Sequence, residues 1–238
     1  MSVDDLQQVQ AVSFDMGQTL VEVHPSVGQI YQRVLRLFGI EISDTAAVDR
    51  AFFDVFGART AARPDLRSSS TIERDFWRGI VDDLLGAHFS EGRVPEPIYI
   101  KMWSAFESTD CWRPLPGAGE VLERLRARGF KLAVLSNWDE RLHPLLKQLR
   151  WARHFDFIGI SSEIGWSKPA PEAFQAVADG LALPPAVILH VGDSLGSDVR
   201  GAQRAGLRAV WLQPDSGRQQ EDVRAIASLQ ELPDLLQC

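Results

Sequence analysis

The apolar positions along the chain follow two different periods. Ala11-Val-Ser-Phe14 is a short apolar run that stops at Asp15, which predicts a buried strand leading into a loop with Gly17, Gln18 and Thr19. From His24 to Asp110 the spacing turns helical: Ile30, Val34, Leu37 and Phe38 share one face, Phe52, Val55 and Phe56 a second, and Ile72, Phe76, Ile80 and Leu84 a third. No strand is expected inside this stretch. Beyond Pro114-Leu-Pro-Gly117 the two periods alternate. A helical run with Val121, Leu122 and Leu125 stops at Gly129 and gives way to a strand over Lys131–Leu135. Further strands are predicted at Phe155–Ile160, Ala186–Val191 and Ala209–Leu212, with helices at Pro171–Leu181 and Ser197–Ala205 between them. Ser228-Leu-Gln-Glu231 is a capping-box pattern that opens a short closing helix.

Apolar strands alternating with helices predict an α/β fold, a doubly wound, Rossmann-like parallel sheet covered on both faces. The expected division is a core of residues 1–23 and 111–238 with a helical unit, 24–110, inserted after the first strand. In such sheets ligands bind beyond the carboxyl ends of the strands, so polar residues just past each strand are the first candidates for chemistry.

Four such places stand out. Asp15 follows the first strand, where a carboxylate serves either as a nucleophile or as a loop cap. Ser136-Asn137 follows the second; it is either an ordinary turn or a hydroxyl and N–H groups that hold phosphoryl oxygens. Lys168 precedes Pro169 in Ser-Lys-Pro-Ala-Pro, a stiff loop that presents an ammonium group unless the lysine is merely solvated. Gly192-Asp193, with Asp198 five residues on, supplies hard oxygen ligands suited to magnesium. Each signal is weak alone, but their order and placement fit one reaction.

Composition narrows the partners. The chain has 238 residues with 45% hydrophobic and 24% charged, enough to bury a sizeable core. Lys and Arg total 25 against 32 Asp and Glu, a net charge of −7, so nucleic acid and anionic membranes are not expected partners. With only Cys111 and Cys238, the expectation is two reduced thiols and no cysteine-rich zinc site. The start has no basic region before an apolar run, and no apolar stretch is long enough to span a bilayer, so a soluble cytoplasmic protein is expected. Oligomeric state is left open.

The segments FDMGQTL, VLSNW, SKPAPEAF and HVGDSLGSDVRGAQRAG together resemble the haloacid dehalogenase-like hydrolase superfamily, whose members are mostly magnesium-dependent phosphatases. The resemblance implies that 24–110 is a helical cap of the C1 type, closing over the site and selecting a small phosphorylated molecule. It makes Asp15 the nucleophile, with Mg2+ held by the Asp15 carboxylate, the Gly17 carbonyl and Asp193. It also makes Lys168 a charge neutraliser and has Ser136 and the Asn137 N–H grip the transferring oxygens. Asp198 stands behind them, positioning the ion or Lys168, and Thr19 keeps its register beside it.

The chain departs from this pattern at one place. The family's first motif is Asp-x-Asp-Gly-Thr; here it reads Asp15-Met16-Gly17-Gln18-Thr19. The missing second Asp normally protonates the leaving group and then activates water. General acid-base help is worth ~10² to 10⁴ in rate, or about 3 to 5.5 kcal/mol of barrier, so slow turnover is expected, with acyl or aryl phosphates suffering least in the first step. Glu22 and His24 lie just beyond the motif and are surrogate candidates, unless they are solvated linker residues. A phosphate-binding or regulatory module that has lost turnover is the alternative reading. Dehalogenation of 2-haloacids is a remote one, opposed by the Asp193/Asp198 pair and the lack of Tyr at position 17. Trp138 and Trp166 either wall the leaving-group space or pack core against cap. His143, His154 and His190 lack metal-ligand spacing and read as structural.

Overall fold

A computed structural model describes residues 6–63, 65–213 and 223–237. Its strands in chain order are β1 (Ala11–Phe14), β2 (Val21–Val23), β3 (Trp112–Pro114), β4 (Lys131–Ser136), β5 (Phe157–Ile160), β6 (Ile188–Gly192), β7 (Arg208–Leu212) and β8 (Arg224–Ile226). Six of them form one sheet in the order β5-β4-β1-β6-β7-β8, every neighbouring pair parallel. This is the expected α/β, Rossmann-like core.

Period-two patterning sorts the strands' side chains onto two faces. Val12, Phe14, Leu132, Val134, Leu189 and Val191 face helices Ala118–Ala127 and Leu142–Gln148. Ala11, Ala133, Leu135, Ile188, Ala209 and Trp211 face helix Pro171–Leu181. β1 lies between β4 and β6, so its backbone is fully paired and all four of its residues are buried. The chain runs outward from β1 to β4 and β5, then returns to β6 on the other side. The carboxyl ends of β1, β4 and β6 therefore converge where a doubly wound sheet reverses direction and opens a crevice.

After β1 the chain leaves the sheet through β2 and returns through β3, and these two strands pair antiparallel as a small separate ladder. Neither was anticipated, because three-residue strands carry almost no periodic signal. Between them lie the cap helices Val27–Arg36, Thr45–Ala61, Ser70–Leu85 and Glu96–Ala105. Ile30, Val34, Leu35, Val81, Leu85, Tyr99 and Met102 form their common core.

The predicted faces hold only in part. The first helix ends at Arg36; Gly39 takes a left-handed φ of 72° and Ile40 N–H turns back to the Leu35 carbonyl at 3.1 Å, a helix stop that leaves Leu37 and Phe38 exposed. Helix Thr45–Ala61 fully buries none of its side chains: Phe52 packs only in part against the cap core, Val55 is half-buried and Phe56 is exposed. Ile72 is likewise exposed, whereas Ile80 is buried.

Smaller departures occur at strand and helix ends. The expected helix Ser197–Ala205 is a π-helix, Leu195–Arg200, followed by a short α-helix, Gly201–Arg204. β8 was missed, whereas the Ser228/Glu231 capping box is present. Cys111 is a buried free thiol, and Cys238 lies outside the described residues. No helix among the described residues is long and apolar enough to cross a membrane.

Helix Val27–Arg36 crosses the start of Thr45–Ala61 at Gly28, where an added Cβ would lie 2.2 Å from the Thr45 carbonyl oxygen. The Gly28 N–H also donates to Asp49 at 2.7 Å. Alanine at this position gains about 1 kcal/mol of helix propensity but forces the helices apart at about 1–3 kcal/mol. Gly28→Ala is therefore expected to speed amide exchange across the two cap helices while leaving β1, β4 and β6 protected; unchanged exchange in the cap would show that no close crossing exists there.

Candidate active site

Asp15 is carried on the end of β1 and its N–H donates to the Val191 carbonyl of β6 at 2.9 Å, which ties the two strand ends together. Ser136, the last residue of β4, donates its hydroxyl to Asp15 Oδ1 at 2.9 Å. Lys168 reaches in from the loop before helix Pro171–Leu181. Its ammonium lies 2.7 Å from Asp15 Oδ1 and 2.6 Å from Asp198 Oδ1, nearly without solvent contact. Asp193 follows β6, with Thr19 Oγ1 3.4 Å from its Oδ1. Asp15, Gly17, Ser136, Asn137, Lys168, Asp193 and Asp198 all line one cavity of about 400 Å³ between the sheet and the cap.

Several local devices hold this arrangement. The Asn137 side chain clamps the Lys168 backbone from both sides: its Oδ1 accepts from Lys168 N–H at 2.6 Å and its Nδ2 donates to the Lys168 carbonyl at 2.9 Å. Gly192 has no side chain because Asp198 occupies that space; a Cβ would sit 2.3 Å from the Asp198 carboxyl carbon. Asp198 Oδ2 accepts the Ser194 N–H at 2.9 Å and Oδ1 meets His190 Nε2 at 3.2 Å. Burial depresses the pKa of His190, so the ring is neutral, and its Nδ1 meets the Ser13 hydroxyl at 3.1 Å. Asp198 is thus bonded on both oxygens and faces Lys168.

The charges are strongly coupled. Burial pushes the Asp15 carboxyl up against the pull of Lys168. Burial, followed by the negative charges of Asp15 and Asp198, raises Asp193 to about 7. For Asp198, burial acts upward but Lys168 and His190 hold the carboxyl below its ordinary range. Lys168 is raised by the two carboxylates although burial opposes it. One oxygen from each of Asp15, Asp193 and Asp198 falls within 4.8 Å of the others. Three hard anionic donors with one ammonium among them leave a net negative pocket, a donor set that fits a divalent cation such as Mg2+.

The loop at the departure from the family pattern is orderly. Gln18 has φ 56°, and its N–H reaches the Val21 carbonyl at 2.7 Å. Beside Gly17 stands the Trp138 ring, 3.8 Å from where a Cβ would be, an ordinary contact distance that a Cβ meets without a clash. Trp138 lines the cavity; Trp166 does not, and carries the Arg67 guanidinium 4.2 Å above its ring. Glu22 and His24 are not brought to the cavity. The Glu22 carboxylate accepts from Arg113 at 2.6 and 2.8 Å across the β2/β3 ladder, and His24 is exposed. His143 and His154 also lie outside the cavity lining.

One residue outside the motifs, Arg141, joins the cavity wall, held from behind by Asp139. Asp139 and Arg141 form a buried, two-pronged ion pair at 2.6 and 2.7 Å, and the guanidinium lies 3.6 Å from the centre of the Trp103 ring of the cap. A core residue is thereby stacked on a cap residue at the cavity wall. Only their closeness to Ser136-Asn137 in sequence pointed toward them.

Residues 9–206 match the protein family described as haloacid dehalogenase-like hydrolase. The chain is 31% identical over 207 residues to haloacid dehalogenase-like hydrolase domain-containing protein 3 of Mus musculus, covering 86% of this chain and 82% of that protein. Among solved structures, the putative HAD-hydrolase YfnB from Bacillus subtilis, bound to magnesium, aligns with a TM-score of 0.77 at 19% identity over 97% of this chain and 99% of that one. L-2-haloacid dehalogenase from Xanthobacter autotrophicus aligns with a TM-score of 0.74 at 19% identity over 96% and 98%. The structural likenesses establish a shared fold, and the family match extends through all four motif segments: the chain belongs to the haloacid dehalogenase-like hydrolases.

Proposed function

We propose that this chain is a magnesium-dependent phosphohydrolase that transfers a phosphoryl group from a small phosphorylated molecule to Asp15 and then to water. The observation that carries this reading is the Lys168 ammonium held between Asp15 and Asp198 beside Asp193, in one cavity. Asp15, the Gly17 carbonyl and Asp193 are the proposed magnesium ligands, with Asp198 and Thr19 behind them. When bound, the ion supplies positive charge that lets a carboxylate approach a phosphate.

The chain's own groups divide the remaining work. The Ser136 hydroxyl now donates to Asp15 and turns to a phosphoryl oxygen when substrate binds, with the Asn137 N–H as its proposed companion donor. Lys168 offsets the negative charge that accumulates as Asp15 attacks. Asp198, already bonded on both oxygens, acts through Lys168 rather than on substrate. Nothing at position 17 donates a proton to the leaving oxygen or removes one from the attacking water, so both steps run without that help. Residues 24–110 are proposed as the substrate-selecting cap. The 31% identity supports a place beside the domain-containing protein 3 sequences. The second reading, a phosphate-binding regulatory protein on the same fold, is favoured by Gly17 and Gln18, which replace the motif's Asp-Gly.

Phosphate release from a panel of phosphate esters, measured with and without Mg2+, separates the two. Asp15→Asn is expected to abolish magnesium-dependent release. Gly17→Asp is expected to raise it by about 10² or more, because general acid-base help is restored and a Cβ at position 17 meets Trp138 without a clash. A wild type as inert as Asp15→Asn leaves only the binding reading.

Metal and pH are linked through Asp193. Between the ordinary value of 3.8 and about 7, the folded chain keeps a proton that the unfolded chain has lost. Metal-free stability should therefore fall as pH rises through that window. Thermal melts are expected to show Mg2+ stabilising the protein more at pH 8 than at pH 5. Metal-free Asp193→Asn should melt above wild type at pH 8 and lose the metal response. A full Mg2+ response in that variant would remove Asp193 from the ligand set.

A further inference from the structure

The cap side of the cavity does not resemble a site for a sugar or another polar alcohol. Phe52 and Phe56 of helix Thr45–Ala61 and Trp77 of helix Ser70–Leu85 line it together, with Trp103 opposite and Trp138 at the phosphate end. The rings pack on one another into a single aromatic surface: Phe52 and Phe56 are 5.9 Å apart at 24°, and Phe52 and Trp77 are 6.5 Å apart at 12°. Helix Thr45–Ala61 buries none of its side chains completely: Phe52 packs in part against the cap core, Phe56 packs on Phe76 and Trp77 of the next helix, and both also line the cavity. The charged groups on the wall are mostly engaged: Arg141 with Asp139, and Arg63 with Glu73 at 2.7 Å. An apolar, aromatic wall with few available polar groups binds flat apolar ligands and desolvates polar ones at a loss.

A second, independent observation lies at the other end. Gly17 provides no acid to protonate a departing alcohol. An aliphatic alkoxide is a poor leaving group without such help, whereas a phenol ionises near pH 10, as tyrosine does, and leaves as its anion. The cavity wall and the absent acid select the same chemistry.

We infer that the substrate is an aryl phosphate, a phosphate monoester whose bridging oxygen is borne by an aromatic ring lying in the cavity against the surface of Phe52, Phe56 and Trp77, with Trp138 near the phosphate. This rests on the phosphohydrolase reading above and names its substrate class. In the first step an Asp15 oxygen bonds to phosphorus and the phosphorus–aryloxy bond breaks, its electron pair leaving on the phenolate. In the second, water bonds to phosphorus, the Asp15 carboxylate is released, and the protons pass to solvent and phenolate. Ester and water become phenol and phosphate. Because the second step lacks its base, the first turnover outruns the rest.

The test uses the full chain with Mg2+ and two kinds of probe. Binding of 1-naphthylphosphonate and methylphosphonate, neither of which can be hydrolysed, is expected to differ by at least about tenfold in favour of the aromatic one, since burying a ring removes apolar surface from water. Trp77→Ala and Phe56→Ala should each shrink that ratio, a quantity independent of how much of the variant is folded. Turnover of 1-naphthyl phosphate should exceed that of glycerol 3-phosphate and open with a burst of naphthol. Gly17→Asp should raise glycerol 3-phosphate turnover by the larger factor. Equal binding of the two phosphonates, or a ratio unchanged in both variants, overturns the inference even if phosphate esters are hydrolysed. Aromatic-selective binding without any turnover upholds the aromatic site and rejects the hydrolase reading instead.

Discussion

The ammonium of Lys168 sits between two carboxylates with almost no water in reach, and the site is organised around it. Burying Asp15, Asp193 and Asp198 together would be prohibitively costly without a cation, because each charge loses hydration and repels the others. One lysine offsets part of that cost and leaves the cluster still anionic. The pocket is therefore stable enough to exist and unsatisfied enough to attract a positive ion. The supporting contacts serve the same end. Asn137 fixes the lysine's backbone, Gly192 lets Asp198 approach, and neutral His190 holds Asp198 from behind.

The cap faces this charged floor with a different kind of surface. Where the sheet presents carboxylates, a lysine and hydroxyls, the helices present rings. Arg141 joins the two: its guanidinium is paired with Asp139 of the core and lies 3.6 Å from the centre of the Trp103 ring of the cap. Planar guanidinium groups stack on indoles without giving up their in-plane hydrogen bonds, which a lysine could not do. On the core side the indole of Trp138 stands beside the backbone of the first motif.

Much of the core was legible in the sequence because central parallel strands are buried on both faces and read as plain apolar runs. Ala11–Phe14 and Lys131–Leu135 are such runs, each followed directly by a residue that lines the cavity, Asp15 and Ser136. The edges were less legible: Arg224–Ile226 and the β2/β3 ladder are too short to show a period. In the cap, helical periodicity located helices but misjudged what their apolar faces do. Phe52 and Phe56 recur as core positions would, yet they face a cavity, and spacing alone cannot separate the two cases. Glu22 and His24 looked suitable by closeness to the motif. A strand pairing turns Glu22 toward Arg113, and His24 is left in solvent. Arg141 carried no motif at all, since its role depends on a tryptophan far away in the sequence.

The antiparallel pairing of β2 with β3 bears on how such a protein can change over time. The chain departs and returns as hydrogen-bonded neighbours, so to the sheet the whole excursion is equivalent to a tight turn. Lengthening a segment whose ends are already pinned together adds only a logarithmic entropic cost. Helices between the two strands can be replaced, extended or repacked while the separation at the stalk stays constant and the acidic floor keeps its geometry. Selectivity and reactivity are then free to evolve on separate stretches of one polypeptide.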